Sequence, residues 1–157
     1  MQNMGFEVST STQRSGEAIA NDPWFVDVSL LEFATKWAIP ASFENDLLTD
    51  KLIFAMDEVN QALLDYLLVQ QGLGFNNLAD VTAQSIGGES VKVAQYKRAV
   101  YAKAKAELVK AQVDLSRTKD AENQASTSAD LAGHYESMAS KAIASIQGLR
   151  AIGVYSI

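Results

Sequence analysis

The chain of 157 residues contains no cysteine. That excludes disulfides, thiolate metal sites and a thiol nucleophile. It contains a single histidine, His134, whereas a histidine metal centre draws several ligands to one fixed geometry. Proline is confined to Pro23 and Pro40, so long stretches hold no residue that forbids a helix. No apolar run approaches the roughly 20 residues needed to cross a bilayer. The first 20 residues are polar and rich in serine and threonine, without the basic-then-apolar order of a secretion signal. The expectation is a protein made and assembled in the cytoplasm, with no membrane partner. Basic residues are too few to balance the acids, 13 against 19, for a net charge of −6. That balance argues against a dedicated nucleic-acid binder, because phosphates gain nothing from carboxylates.

What the chain does have is ordinary for a folded domain, with 48% hydrophobic and 20% charged residues. Its length suits one domain with one modest core. The charge is unevenly placed: −6 in residues 1–50, −1 in 51–100 and +1 in 101–157. Such asymmetry suits a protein whose faces meet different neighbours.

The pattern predicts an all-α bundle of about four helices, two or three of them long, with an extended N-terminal arm and a C-terminal tail. Residues 1–22 are poor in large apolar groups and read as an arm, unordered unless a partner holds it. Residues 23–148 form the helical domain. A short first helix is capped by Ser29, with Glu32 at capping-box spacing, and stops before Pro40. A long second helix spans about 42–71, with Leu48, Leu52, Met56, Val59, Leu63 and Leu67 on one face. Phe54, Leu64, Tyr66 and Leu68 widen that stripe beyond one side, and Gly72 and Gly74 end the helix. Residues 75–88 read as a compact connector with one helical turn.

A third helix is expected from about Glu89 to Arg117, its stripe made by Val93, Val100, Ala104, Leu108, Ala111 and Leu115 and flanked by Tyr96 and Tyr101. It carries Lys92, Lys97, Arg98, Lys103, Lys105, Lys110, Arg117 and Lys119, a net of +5. A fourth runs from about Ala121 to Gln147 and is ended by Gly148. Residues 149–157 form an apolar, β-branched tail that reads as extended and must dock somewhere.

Nothing in this pattern assembles a catalytic set, a metal site or a cofactor site. Ser137, His134 and Glu136 lack a strained elbow and an oxyanion hole. Asp57, Glu58 and Asp65 lack a partner helix of carboxylates or a histidine. Gly72–Gly74 and Gly87–Gly88 follow no strand and precede no Gly-Lys-Ser/Thr, so they read as helix punctuation rather than phosphate loops. Trp24 and Trp37 read as packing residues. The basic third helix leaves open a second reading, a helical binding protein that contacts nucleic acid or a host factor.

One segment carries more. Gly74-Phe75-Asn76-Asn77-Leu78-Ala79-Asp80-Val81, then Ile86-Gly87-Gly88-Glu89-Ser90-Val91-Lys92-Val93, then Tyr96-Lys97-Arg98-Ala99-Val100, resembles the head completion/stabilisation proteins of contractile-tailed bacteriophages. Ile146-Gln147-Gly148, followed by an arginine and an apolar tail ending in Ser-Ile, is a second match. The resemblance covers roughly 24–157 and is strongest in 74–101 and 143–157. It implies a structural virion protein rather than an enzyme: a head–tail connector adaptor in the neck, forming a typically dodecameric ring below the portal once DNA is packaged. Such a ring retains DNA and offers a docking surface to a tail terminator or other neck protein. DNA passes through it without sequence-specific binding. Within that expectation, Leu149, Arg150, Ile152, Val154, Tyr155 and Ile157 would bind the portal, and Val93, Tyr96, Val100, Tyr101, Ala104 and Leu108 would face neighbouring subunits. No cofactor or metal is implied.

Overall fold

A computed structural model describes residues 13–114 and 121–149. The fold is mostly α, a helical bundle with two minimal hairpins. In chain order the elements are β1 (Ala18–Ile19), β2 (Val28–Ser29), α1 (Leu30–Lys36), α2 (Asn45–Ala62), α3 (Leu64–Gly72), a 3₁₀ turn (Leu78–Asp80), β3 (Ser85–Ile86), β4 (Glu89–Ser90), α4 (Val91–Asp114) and α5 (Ala121–Ile146).

The start of α1 follows from its cap: the Ser29 hydroxyl accepts the Glu32 amide at 3.2 Å, satisfying one of the orphan donors of the first turn. Glu32 does not close the capping box. Its carboxylate instead accepts from Lys36 at 2.5 Å and from the Tyr101 hydroxyl at 2.9 Å. The helix stops at Lys36, four residues before Pro40; beyond it Ala38 takes a φ of 49° and the Ile39 amide bonds back to the Ala34 carbonyl. Gly74 and Gly148, at φ 95° and 72°, end α3 and α5 in the same way. The amides of Phe75 and Leu149 reach the carbonyls of Gln70 and Ala144, the reversed-bond motif that favours glycine.

The expected long second helix is interrupted at Leu63, whose φ of −100° and ψ of 6° separate α2 from α3. Leu63 is itself fully buried, so the break turns its side chain into the core. Just past the end of α5, the Gln147 side-chain Nε2 donates to the Ala62 carbonyl at 3.3 Å. The third helix begins two residues later than expected, because Glu89 and Ser90 pair with Ser85 and Ile86. Gly87 and Gly88, at φ 64° and 82°, form the two-residue turn between them. Both central residues of a type I′ turn need positive φ, so this Gly-Gly marks a hairpin rather than a helix end.

The arm is held by the chain itself from residue 13 onward. Arg14 donates to the carbonyls of Phe43 at 2.5 Å and Pro40 at 2.7 Å, and to Asn45 Oδ1 at 3.0 Å. β1 then pairs antiparallel with β2, Ile19 opposite Val28. Residues 1–12 lie outside the described residues.

Two opposite faces of α4 are buried. At about 100° per residue, Val93, Val100, Ala104 and Leu108 fall on one side, and Ala99, Ala102, Ala106 and Val109 on the other. All eight are buried. The first side meets Leu48, Leu52 and Val59 of α2 and Phe33 of α1 in the main core. The second meets α5, which offers Ala132, Ala139 and Ala142. Alanine on both helices lets their axes approach closely and loses no rotamer freedom on burial. The two helices run antiparallel: Lys92 at the start of α4 caps the Ile146 carbonyl at the end of α5, at 2.6 Å.

Aromatic rings seal the N-terminal elements onto this frame. Phe25 stacks on Tyr96 at 5.1 Å and Phe33 on Tyr101 at 5.4 Å. Trp24 and Trp37 pack against Phe25, Tyr66, Tyr101 and Tyr135. Both tryptophans are therefore packing residues.

Burial pushes the Glu32 carboxyl up, but the hydrogen bonds from Lys36 and Tyr101 and the charge of Lys97 together hold it below its ordinary value. A carboxyl depressed in the folded state contributes stability above its unfolded pKa and loses it as pH falls through the folded value. Glu32→Gln should therefore be less stable than the wild type at neutral pH. The gap should close on acidification below the ordinary carboxylate range, as measured by urea denaturation at a series of pH values. A gap that stays constant with pH would show that Glu32 contributes no charge-dependent stability.

Candidate functional site

The described residues bring no reaction centre together. No group of three or more potential metal ligands occurs among them. His134 is exposed on α5 with its ring edge-on to Tyr135. Glu136, two positions along the helix, projects to a different face and is bonded to Lys110, which also pairs with Glu107 at 3.0 Å. Among the described residues, neither Glu136 nor Ser137 is hydrogen-bonded to His134. On α2, Glu58 is paired with Lys103 at 2.8 Å and Asp57 accepts from Gln61 at 2.9 Å.

The basic helix is mostly engaged internally. Lys97 pairs with Glu89 at 2.7 Å, and Lys103 and Lys110 pair as above. Lys92 caps α5 and lies 5.2 Å from the centre of the Tyr66 ring. Lys105 donates to the Trp37 carbonyl at 3.1 Å, and burial pushes its pKa down. Arg98 is the α4 cation left without an ion pair or hydrogen bond among the described residues. Arg117 and Lys119 lie outside those residues. A helix whose cations already have partners offers little to a phosphate backbone.

Val93, Tyr96, Val100, Tyr101, Ala104 and Leu108, expected to face neighbouring subunits, are all buried in the chain's own core. Periodicity located a true apolar face, but α1 and α2 of the same chain cover it. Of the expected tail contacts, Leu149 is 61% exposed. Arg150, Ile152, Val154, Tyr155 and Ile157 lie outside the described residues.

The apolar surface left open lies on α2 and α3. Opposite the buried Leu48–Leu52–Val59 side of α2, Leu47, Ile53 and Phe54 are exposed, Phe54 by 60%, and past the break at Leu63 so are Leu64, Leu68, Val69 and Leu73. No residue of α3 is buried. Asp46, Asp50, Asp57 and Asp65 are interspersed along the same outward strip. The widening of the second-helix stripe by Phe54, Leu64 and Leu68 is the sequence signal for this surface. Single exposed leucines are ordinary on any protein, whereas seven large apolar side chains exposed along two successive helices make a candidate contact surface. A groove beside it, of about 180 Å³, is lined by Lys51, Phe54, Ala55, Glu58, Lys103, Glu107 and Glu136. A second groove, of about 190 Å³, lies between α4 and α5, with Gln95, Arg98, Met138, Lys141 and Ser145 around it.

Residues 19–157 match the family model described as phage head completion protein (GPL). Over 90 residues, 57% of this chain and 53% of the relative, the chain is 34% identical to the head completion/stabilization protein of Escherichia phage P2. Over 91 residues it is 29% identical to a protein of Haemophilus phage HP1 (strain HP1c1) named "Probable head completion/stabilization protein", covering 58% of this chain and 61% of that one. The match thus spans between half and two thirds of the length of these relatives. No solved structure matches the chain significantly.

Proposed function

The chain belongs to the phage head completion protein (GPL) family, and from that membership we propose that it works as a ring-forming adaptor between the head's portal and the tail or neck. A structural virion component of this kind acts by contact rather than by catalysis. It retains packaged DNA and presents a surface to the next neck protein. The observation that carries this reading is the exposed apolar strip of α2 and α3 on a fold whose described residues assemble no reaction centre. A subunit in a ring needs such a surface, because a closed ring places each copy between two neighbours. The overall charge of −6 suits a channel past which DNA must slide without sticking.

The tail supplies the portal contact in this reading. Leu149 leaves the end of α5 exposed, and the residues that follow it, Arg150-Ala151-Ile152-Gly153-Val154-Tyr155-Ser156-Ile157, are apolar enough to gain from burial on a partner. Extended segments of alternating apolar residues commonly add to a partner's sheet edge. Deletion of residues 149–157 should abolish co-purification with portal while leaving the far-ultraviolet circular dichroism of the helices in place. Portal association that survives the deletion would remove the tail from the contact.

A further inference from the structure

The outward ridge of α2 and the groove between α4 and α5 have matching chemistry. On the ridge, Asp50, Phe54 and Asp57 are spaced four and three residues apart, so they share one exposed face within about 10 Å. The pattern along it is acid, aromatic, acid. Phe54 is 60% exposed, a large apolar area to leave in water. In the groove, Arg98 from α4 and Lys141 from α5 flank Met138, with Gln95 and Ser145 beside them. The pattern there is base, apolar, base. Arg98 and Lys141 carry no ion pair within the described residues. Asp50 has none there either, and Asp57 accepts only the Gln61 side chain.

Acids and cations with no ion-pair partner among the described residues therefore stand on two different faces of one molecule, each set framing an apolar centre. We infer that Phe54, between Asp50 and Asp57, seats in the α4–α5 groove of a second copy, over Met138 and between Arg98 and Lys141. This inference rests on the ring reading and specifies which surfaces meet. The contact is heterologous, since the surface given differs from the surface received. Repetition of a heterologous contact closes into a ring when the rotation allows it. It is a ridge-into-groove contact of the kind that packs helices within a chain, with a buried aromatic anchor and a charged rim. Ile53 and Leu47 extend the ridge on either side and would be covered by the same neighbour.

Because the chain has no cysteine, cross-linking tests this directly. Asp57 and Arg98 are both outside the buried core, and Asp57 points away from the α2 side that meets α4, so a link between them is intermolecular. The full-length chain carrying Asp57→Cys and Arg98→Cys together, in purified heads, should give a ladder of multimers with a short bis-maleimide. Either substitution alone should give none. In purified protein, Asp57→Arg should raise the concentration needed for self-association by about tenfold or more, and adding Arg98→Asp should restore it. A dimer from Asp57→Cys alone would mean a face-to-face contact and overturn the head-to-tail assignment. Multimers by native mass spectrometry, with no ladder from the double variant, would overturn this interface and leave the ring reading standing. A single copy per head would overturn both.

Discussion

Tyr96→Ala is expected to lower the unfolding free energy by about 3–5 kcal/mol, the usual range for emptying a large aromatic site in a core. Tyr96 is fully buried and ties two distant parts of the chain, residues 21–25 and α2, to α4. Its ring stacks on Phe25. Its hydroxyl donates to Asn60 Oδ1 of α2 at 2.6 Å and accepts from Asn21 Nδ2 of the arm at 2.7 Å. Asn60 closes the triangle by donating to Asn21 Oδ1 at 2.9 Å. Burial pushes the phenol well above its ordinary range, so it remains a donor across the working pH range. Tyr96→Phe keeps the ring and removes only the hydroxyl, so it should cost about 1 kcal/mol, since the two asparagine amides it leaves short of a partner are only half-buried. Urea unfolding of both variants separates packing from hydrogen bonding. Equal losses would mean that the hydroxyl accounts for the whole effect and the ring for none of it, and a loss below about 1 kcal/mol for alanine would mean that the site refills. Against a domain stability of roughly 5–15 kcal/mol, the expected loss decides whether the chain stays folded.

A second large effect is expected where the chain holds its smallest side chains. Ala139 is completely buried on the side of α5 that meets α4, where Ala102 and Ala106 allow close approach. Ala139→Leu adds three carbons to a seam with no room for them and should cost about 1–3 kcal/mol or more through overpacking. The damage should be local at first. Amide hydrogen exchange in α5 should accelerate, while the amides of α2, packed on the other face of α4, keep their protection. Uniform acceleration across both helices would show that the two faces of α4 unfold as one unit. A leucine tolerated without loss would show that the seam is looser than its alanines indicate.

Much of this frame was legible in the residues, and the exceptions share causes. Ser29 announced the start of α1, and Gly74 and Gly148 announced two helix ends, because caps and positive φ impose narrow residue choices. The large apolar stripe of α2 was legible because leucine repeated at helical spacing marks the buried side of a helix. The second face of α4 was not. Alanine carries little hydropathy, so Ala99, Ala102 and Ala106 read as permissive rather than buried. Val93, Tyr96 and Val100, buried in the chain's own core, show a second limit: periodicity gives a face, not the identity of what covers it. The break at Leu63 had no local signal, since no proline or glycine stands there; a hydrogen bond from the Gln147 side chain to the Ala62 carbonyl accompanies it instead. Arg14 shows the reverse limit. In a polar run it looked like one more solvated charge, yet three acceptors on the domain hold it.

The site divides likewise. The wide stripe, with Phe54, Leu64 and Leu68 beside the leucine repeat, hinted at the open face of α2. The groove between α4 and α5 depends on which residues two helices bring together, and no spacing within either helix reveals it.

The reversal at Gly148 also sets a radius. Beyond Leu149, residues 150–157 number eight, and a fully extended chain advances at most about 3.6 Å per residue. Any surface that Ile157 itself touches must therefore come within roughly 30 Å of the end of α5. Gln147 is tied to Ala62, so the origin of this sphere is fixed beside the α2–α3 junction. A contact made at Ile157 thus constrains where the whole subunit stands, as a short tether bolted to the frame limits its anchor point.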